Sequence, residues 1–310
     1  MADGRDDGKP GTALALARPM IARDLDQAGK GQLVYVGRDG EVKDPSGVRA
    51  RQTVAYVAFG AVTTAGVALA ATSFPLLIPF YLLLGGRFLG TVRAVRRVNE
   101  ASVALSNGEA KQGRDLAEPV ARAWWAPARV RALAELRLAI ADALDGHAER
   151  ALDRLRAARA RLSPRLIQHQ FSYYTEVNLL AALGRTKEAR VVLDGRGGTP
   201  HGEVLKLSHW IAEMHLCVAD GAVPTGTLTD DELHTRMVKG LGMTAGRDLL
   251  LLCAWAYAQR GEHDDACFAW QHALEREGSQ RLEVAMPKLA EWMAAYRDSH
   301  PAVDAPLPDE

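Results

Sequence analysis

The sequence predicts an all-α protein: a membrane helical hairpin, then an α-solenoid of about four helix-turn-helix pairs, closed by a capping helix. Three observations carry that expectation. Residues 52–86 run for 35 positions without a charged side chain, whereas a bilayer span needs only about 20. Residues 116–297 are rich in Ala, Leu and Arg, with apolar positions at helical spacing and few β-branched runs, the pattern of packed helices. Gly146, Gly184, Gly221 and Gly261 recur at intervals of 38, 37 and 40 residues, as turn glycines between stacked helical pairs do.

In chain order, residues 1–51 form a polar cytosolic segment in which 32–36, a Gly-Arg-Asp-Gly turn and 41–43 fit a small β-hairpin. Asp3, Arg5, Asp6 and Asp7 have no apolar core close behind them, unlike a secretory signal. The Met-Gly start of a myristoylation site is also missing.

Residues 52–92 are the expected hairpin, transmembrane or re-entrant. As one straight helix the uncharged run would extend ~52 Å, too long for a ~30 Å hydrocarbon core at ordinary tilt. Thr72, Ser73 and Pro75 supply a break in the middle, since proline restricts its predecessor and removes a backbone donor. The parse is therefore two helices, over 53–71 and 74–92. Gly60, Ala61, Ala65 and Gly66 would let the first pack closely on the second or on another copy. Arg38, Lys43, Arg49 and Arg51 precede the run, and Arg87, Arg93, Arg96 and Arg97 follow it. Equal basic flanks place both termini in the cytosol, at the inner (cytoplasmic) membrane of a bacterial cell. The second set, Arg87, Arg93, Arg96 and Arg97, provides the candidates for contact with the membrane surface. Two buried helices of a soluble domain remain an alternative reading of the run. Residues 93–115 read as a juxtamembrane helix, or equally as an exposed connector.

Within residues 116–297, Ser163-Pro164 marks a helix start and Thr229 with Glu232 has capping-box spacing. The sharpest pattern lies over 250–274. Leu250, Cys253, Ala254 and Tyr257 occupy one helix, Gly261 the turn, and Ala266, Trp270 and Ala273 the next helix. Small Ala254 and Ala266 let the helices approach, and Tyr257 and Trp270 fill the space around that contact. This arrangement closely resembles a tetratricopeptide repeat. In weaker copies Ala151 with Leu155, and Ala189 with Leu193, stand where Ala266 and Trp270 stand, and Trp210 takes the place of Leu250. A period longer than the family's ~34 residues implies longer helices or turns. A closing helix over 280–296, bent at Pro287, would cap the TPR-like stack, and 298–310 form a loose tail.

The resemblance implies that the concave face, made by the first helix of each pair, binds a protein or peptide segment. Mapping by the turn glycines puts Tyr174, Asn178, His215, Trp255 and Gln259 on that face. The lysine-rich clamp that some family members close on C-terminal carboxylates is missing.

The zero net charge conceals a dipolar chain: +1 over 1–51, +7 over 52–165 and −8 over 166–310. Cys217, Cys253 and Cys267 are far apart, giving neither a disulfide framework nor a thiolate metal site. No phosphate loop, His-Glu-x-x-His, nucleophile elbow or paired-carboxylate motif occurs. His209 and His215 are six residues apart, off one helix face, and read as packing residues. The expectation is a protein that is not an enzyme, with no catalytic residues, no cofactor, no metal and no nucleic-acid partner. Residues 120–165 carry ten arginines against five acidic residues, with Arg150, Arg154 and Arg161 along one helix. They read as a solvated face, or as one turned to anionic lipid. Trp124 and Trp125 are assigned to packing in preference to the membrane interface.

The function these readings imply is a membrane-anchored adaptor or scaffold, holding a protein partner at the cytosolic membrane face by local concentration. The alternative is a membrane-remodelling or oligomeric channel-forming hairpin regulated by the repeats. The lack of ionisable residues before Arg87 argues for an anchor. A homo-oligomer fits either reading.

Overall fold

Alanine, leucine and arginine are strong helix formers, and the structure follows them. The computed structural model describes residues 35–36, 42–43, 54, 57–67, 78–195, 200, 202–222, 228–243, 246–276 and 281–301. Among them, the one sheet pairs β1 (Tyr35–Val36) antiparallel with β2 (Val42–Lys43), setting Tyr35 opposite Lys43 and Val36 opposite Val42. Every other regular element is helical. These are α1 (Val57–Val67), α2 (Ile78–Ser106), α3 (Ala110–Arg122), α4 (Ala128–Leu144), α5 (Ala148–Arg159), α6 (Ile167–Ala182) and α7 (Thr186–Asp194). They continue with α8 (Glu203–Asp220), α9 (Asp230–Leu241), α10 (Arg247–Gln259), α11 (His263–Leu274), α12 (Leu282–Ala285) and α13 (Pro287–Ser299). The expected break at Thr72–Pro75, the segment 1–34, residues 223–227 and the tail beyond Pro301 lie outside the described residues.

The chain divides into two compact units, with described parts 35–220 plus 281–291, and 221–276 plus 292–301. In the first, α2 departs from the expected parse. The helix does not stop near 92 to let a separate juxtamembrane helix begin; it runs unbroken for 29 residues. Its two halves have different surroundings. Phe80, Leu82, Leu83 and Leu89 are exposed, whereas Ala94, Val98, Ala101 and Leu105 are buried. Those four follow helical spacing between the arginines, so the arginine-rich stretch is an amphipathic helix with a small-residue stripe. Ala94, Val98 and Ala101 pack with Ala117 and Val120 of α3 and Val130, Ala134 and Leu138 of α4. The packed helices therefore begin within α2, ahead of residue 116. Against the apolar half lies α1, with Phe59 stacked on Phe88 at 3.8 Å between ring centres. A Cβ on Gly66 would meet the Tyr81 ring at 2.5 Å, and one on Gly85 would meet Thr63 at 3.4 Å. These three pairings step forward on α1 as they step backward on α2, the signature of antiparallel helices.

One turn recurs. Gly108, Gly146 and Gly184 in the first unit and Gly261 in the second have φ from +72° to +81°, a region open to glycine at little cost. Each glycine N–H is donated to the carbonyl three residues back. The next residue donates to the carbonyl five back: Glu109 to Ala104, His147 to Asp142, Arg185 to Leu180 and Glu262 to Tyr257, at 2.8–3.0 Å. This double closure is the Schellman motif, and in each case the following helix starts at once. Gly221 also has positive φ. Gly108, 38 residues before Gly146, extends the predicted series backward. Five residues after each of these four glycines sits a small buried residue: Gly113, Ala151, Ala189 and Ala266. A Cβ on Gly113 would come within 2.5 Å of Leu105.

Thr229 and Glu232 form the expected capping box at the start of α9. Two other expectations change. Helix α6 begins at Ile167, not at Ser163-Pro164, because the Ser163 carbonyl accepts from the Leu166 N–H and closes a separate turn. Pro287 does not bend one closing helix; it starts α13 after Met286 ends α12, as a residue without an N–H favours.

In the second unit, every residue from Leu249 to Tyr257 of α10 is buried. Trp270 of α11 is fully buried against Trp292 and Tyr296 of α13, with ring centres 5.6 and 6.1 Å away. Sequence spacing assigned this indole to the contact between α10 and α11; its ring partners lie on α13.

Candidate functional site

The candidate site is built on the helices that precede the turn glycines of the first unit. Helices α4 and α6 end in Schellman turns, which bring Leu144 and Leu183 to the same end of the pair. Across them lies the chain's own α12. Between these elements is a cavity of about 480 Å³, walled chiefly by apolar side chains, among them Ile140, Leu144, Leu183 and Val284, with Thr175, Asn178 and the carboxylate-bearing Glu283 as polar members. That size and lining suit an apolar side chain or small ligand.

Two cations fasten the covering segment. Arg281 donates through Nη1 to the carbonyl of Leu144 at 2.5 Å, and Lys288 donates through Nζ to the carbonyl of Ala219. Both acceptors belong to helix C-termini, where unsatisfied carbonyls and the macrodipole favour positive charge. On α4, one turn before Ile140, stands Arg137. Its Nε is buried without a hydrogen-bond partner among the described residues, and burial pushes the guanidinium pKa down. A cation in that state is suited to an anionic group brought by a ligand.

Asn178 is half-buried in the cavity wall. Its Oδ1 accepts from His215 Nδ1 at 3.3 Å, an arrangement that places the imidazole proton on Nδ1. Burial lowers the His215 pKa to about 4, so the ring is neutral at pH 7. Asn178 and His215, both expected on the concave face, are thus brought together. The other expected groove residues are placed differently. Tyr174 and His215 are buried in the first unit, and Trp255 is buried in the second. Gln259 is exposed near the end of α10. Each lies on a helix whose C-terminal end precedes a turn glycine, but these helices also bury faces against their neighbours. The Tyr174 ring meets His209 of α8 edge-on at 5.8 Å.

Arg87, Arg93, Arg96 and Arg97 are all exposed along α2; Arg96 also pairs with Glu100 at 2.7 Å. The arginines of α5 are not a freely solvated face. Arg150 and Arg154 reach the fully buried carboxylate of Asp142 at 2.7 and 3.2 Å, and Arg114 reaches it at 2.7 Å. Arg156 and Arg159 likewise converge on buried Glu176. Asp142 escaped the sequence reading, although a signal existed: it stands four residues before its turn glycine, where Leu180 and Tyr257 stand in other copies. Among the described residues no group of three or more His, Cys, Asp or Glu suits a metal ion.

No family model, curated protein or solved structure matches this chain. The site must therefore be read from its own chemistry.

Proposed function

We propose that the chain is a membrane-anchored, tetratricopeptide-like adaptor that binds a protein or peptide segment on the α4–α6 face at the cytosolic surface of a bacterial inner membrane. The observation that carries this reading is the cavity beneath α12. The face already accommodates a short helical segment with apolar and charged side chains, so a partner segment of similar chemistry can take the same place. Its apolar side chain fills the space beside Ile140 and Leu183, and a carboxylate pairs with Arg137, whose buried Nε has no hydrogen-bond partner among the described residues.

The repeated Schellman turns and the small residues after them support a solenoid of stacked pairs, now extended to Gly108. The anchor is the pair α1 and α2, acting as a hairpin. Among the described residues α2 is the one helix long and apolar enough to cross a membrane by length and composition. The exposed aliphatic side chains of its first half are otherwise costly in water.

The test is site-specific photo-crosslinking in native membranes. A photoreactive residue replacing Ala182, in the cavity wall, is expected to capture a discrete protein adduct; one replacing exposed Val191 on α7 is not. An Arg137→Glu change in the first background is expected to abolish the adduct. Equal capture from both positions, or capture indifferent to Arg137→Glu, refutes the groove.

A further inference from the structure

Between α3 and α4 the turn at 123–127 carries two tryptophans with unequal surroundings. Trp124 is 86% exposed and Trp125 37%, yet Ala123 and Ala126 on either side are buried. The turn is tied by backbone hydrogen bonds from the Ala123 N–H to Val120 and from the Ala126 N–H to Ala123, at 3.2 and 3.1 Å. Trp124 is therefore held outward by an anchored turn, leaving a large indole in water where collapse onto the protein would otherwise bury it.

Trp125 gives the height of this turn on α2. A Cβ on Gly90 would lie 3.0 Å from its Cζ3, so the indole rests on bare backbone there. Exposed Arg87 and Arg93 stand three residues to either side, ~4.5 Å along the helix axis. Toward the start of α2 the exposed surface is aliphatic and aromatic, through Leu89, Leu83, Leu82 and Phe80. Beyond it come Arg93, Arg96 and Arg97. The tryptophans thus stand where apolar surface gives way to cationic surface, the depth at which Trp and basic side chains collect at a bilayer boundary.

We infer that the Trp124–Trp125 turn is an interfacial anchor that seats at the headgroup–acyl boundary of an anionic bilayer and fixes the depth of α2. The inference rests on the membrane reading of α2. Lipid is the occupant because the aromatic turn is continuous with the exposed apolar half of that helix, and the adjoining charge is complementary to anionic headgroups. The indole of Trp124 enters the boundary while the arginines hold lipid phosphates.

The experiment uses the full chain in vesicles of phosphatidylcholine and phosphatidylglycerol, with brominated lipid as fluorescence quencher. Bromine near the headgroup end of the acyl chain should quench the wild type more than Trp124→Phe, by up to the share of one tryptophan among six. Bromine at the bilayer centre should not separate the two. The exposed position of Trp124 keeps the core out of the comparison. Equal shallow quenching in protein that floats with the vesicles overturns the inference and leaves the anchor standing. Protein that does not float with the vesicles overturns both. Equal quenching together with Trp124-dependent self-association in detergent shows that a second copy, not lipid, covers the turn.

Discussion

Replacing Asp142 with Asn removes one charge from a fully buried position and little else in shape. The carboxylate accepts from Arg114 and Arg150 at 2.7 Å each and faces Arg154 at 3.2 Å. Burial pushes its pKa up, but the hydrogen bonds from Arg114 and Arg150 and the charge of Arg154 outweigh it, leaving the pKa below the ordinary carboxylate value. Breaking a buried ion pair costs ~3–5 kcal/mol when the remaining charge stays dry. Here the three arginine side chains are 26%, 52% and 30% exposed, so water recovers part of the loss, and the amide oxygen still accepts one bond. The expected cost is about 2–3 kcal/mol at neutral pH, which for a domain of this size lowers Tm by roughly 5–10 °C. Because the folded-state pKa is depressed, the stabilisation is present above the unfolded-state pKa and is lost as pH falls through the folded-state value. The gap between wild type and Asp142→Asn should therefore narrow below pH ~4. Thermal unfolding followed by circular dichroism in detergent, at neutral pH and stepwise into acid, measures both. A variant as stable as wild type at neutral pH, or a gap of constant size, refutes the account.

Two further outcomes follow from single residues. His215 has a folded-state pKa of about 4 against an ordinary value near 6.5, so the unfolded chain takes up the proton first. Stability is complete above pH ~6.5 and falls by about 3 kcal/mol toward pH ~4. His215→Gln should flatten this part of the pH–stability curve, and an unaltered curve would remove His215 as its source. At Gly184 φ is +72° and an added Cβ would meet nothing within 4 Å, so Gly184→Ala adds backbone strain alone. It should cost ~1–2 kcal/mol, read as a lower midpoint in denaturant; an unchanged midpoint would mean that the turn relaxes freely.

What was legible in the sequence was local. Turn glycines announce themselves because a left-handed backbone excludes most other residues. The Thr229–Glu232 box is complete within one helical turn, and the burial of Trp270 follows from its spacing to Gly261. Gly108 follows the same rule but is hidden in the sequence, because the stretch before it reads as a membrane segment plus a connector. The arginines at 93, 96 and 97 mask, in the sequence, the stripe Ala94, Val98, Ala101 and Leu105 that buries the far half of α2. Asp142 was missed for the complementary reason, its partners Arg114 and Arg150 coming from helices on either side of its own.

By itself, then, the sequence determined the helices, their glycine closures and the uncharged run, all set by backbone hydrogen bonding, propensity and hydropathy over short spans. The tertiary structure alone decided which face of each helix is open. Tyr174 and Trp255 disappear into cores, α12 covers the cavity beside Asn178, and Trp124 stays in the open. Exposure depends on what distant segments pack against a face, and helical period carries no record of that neighbour.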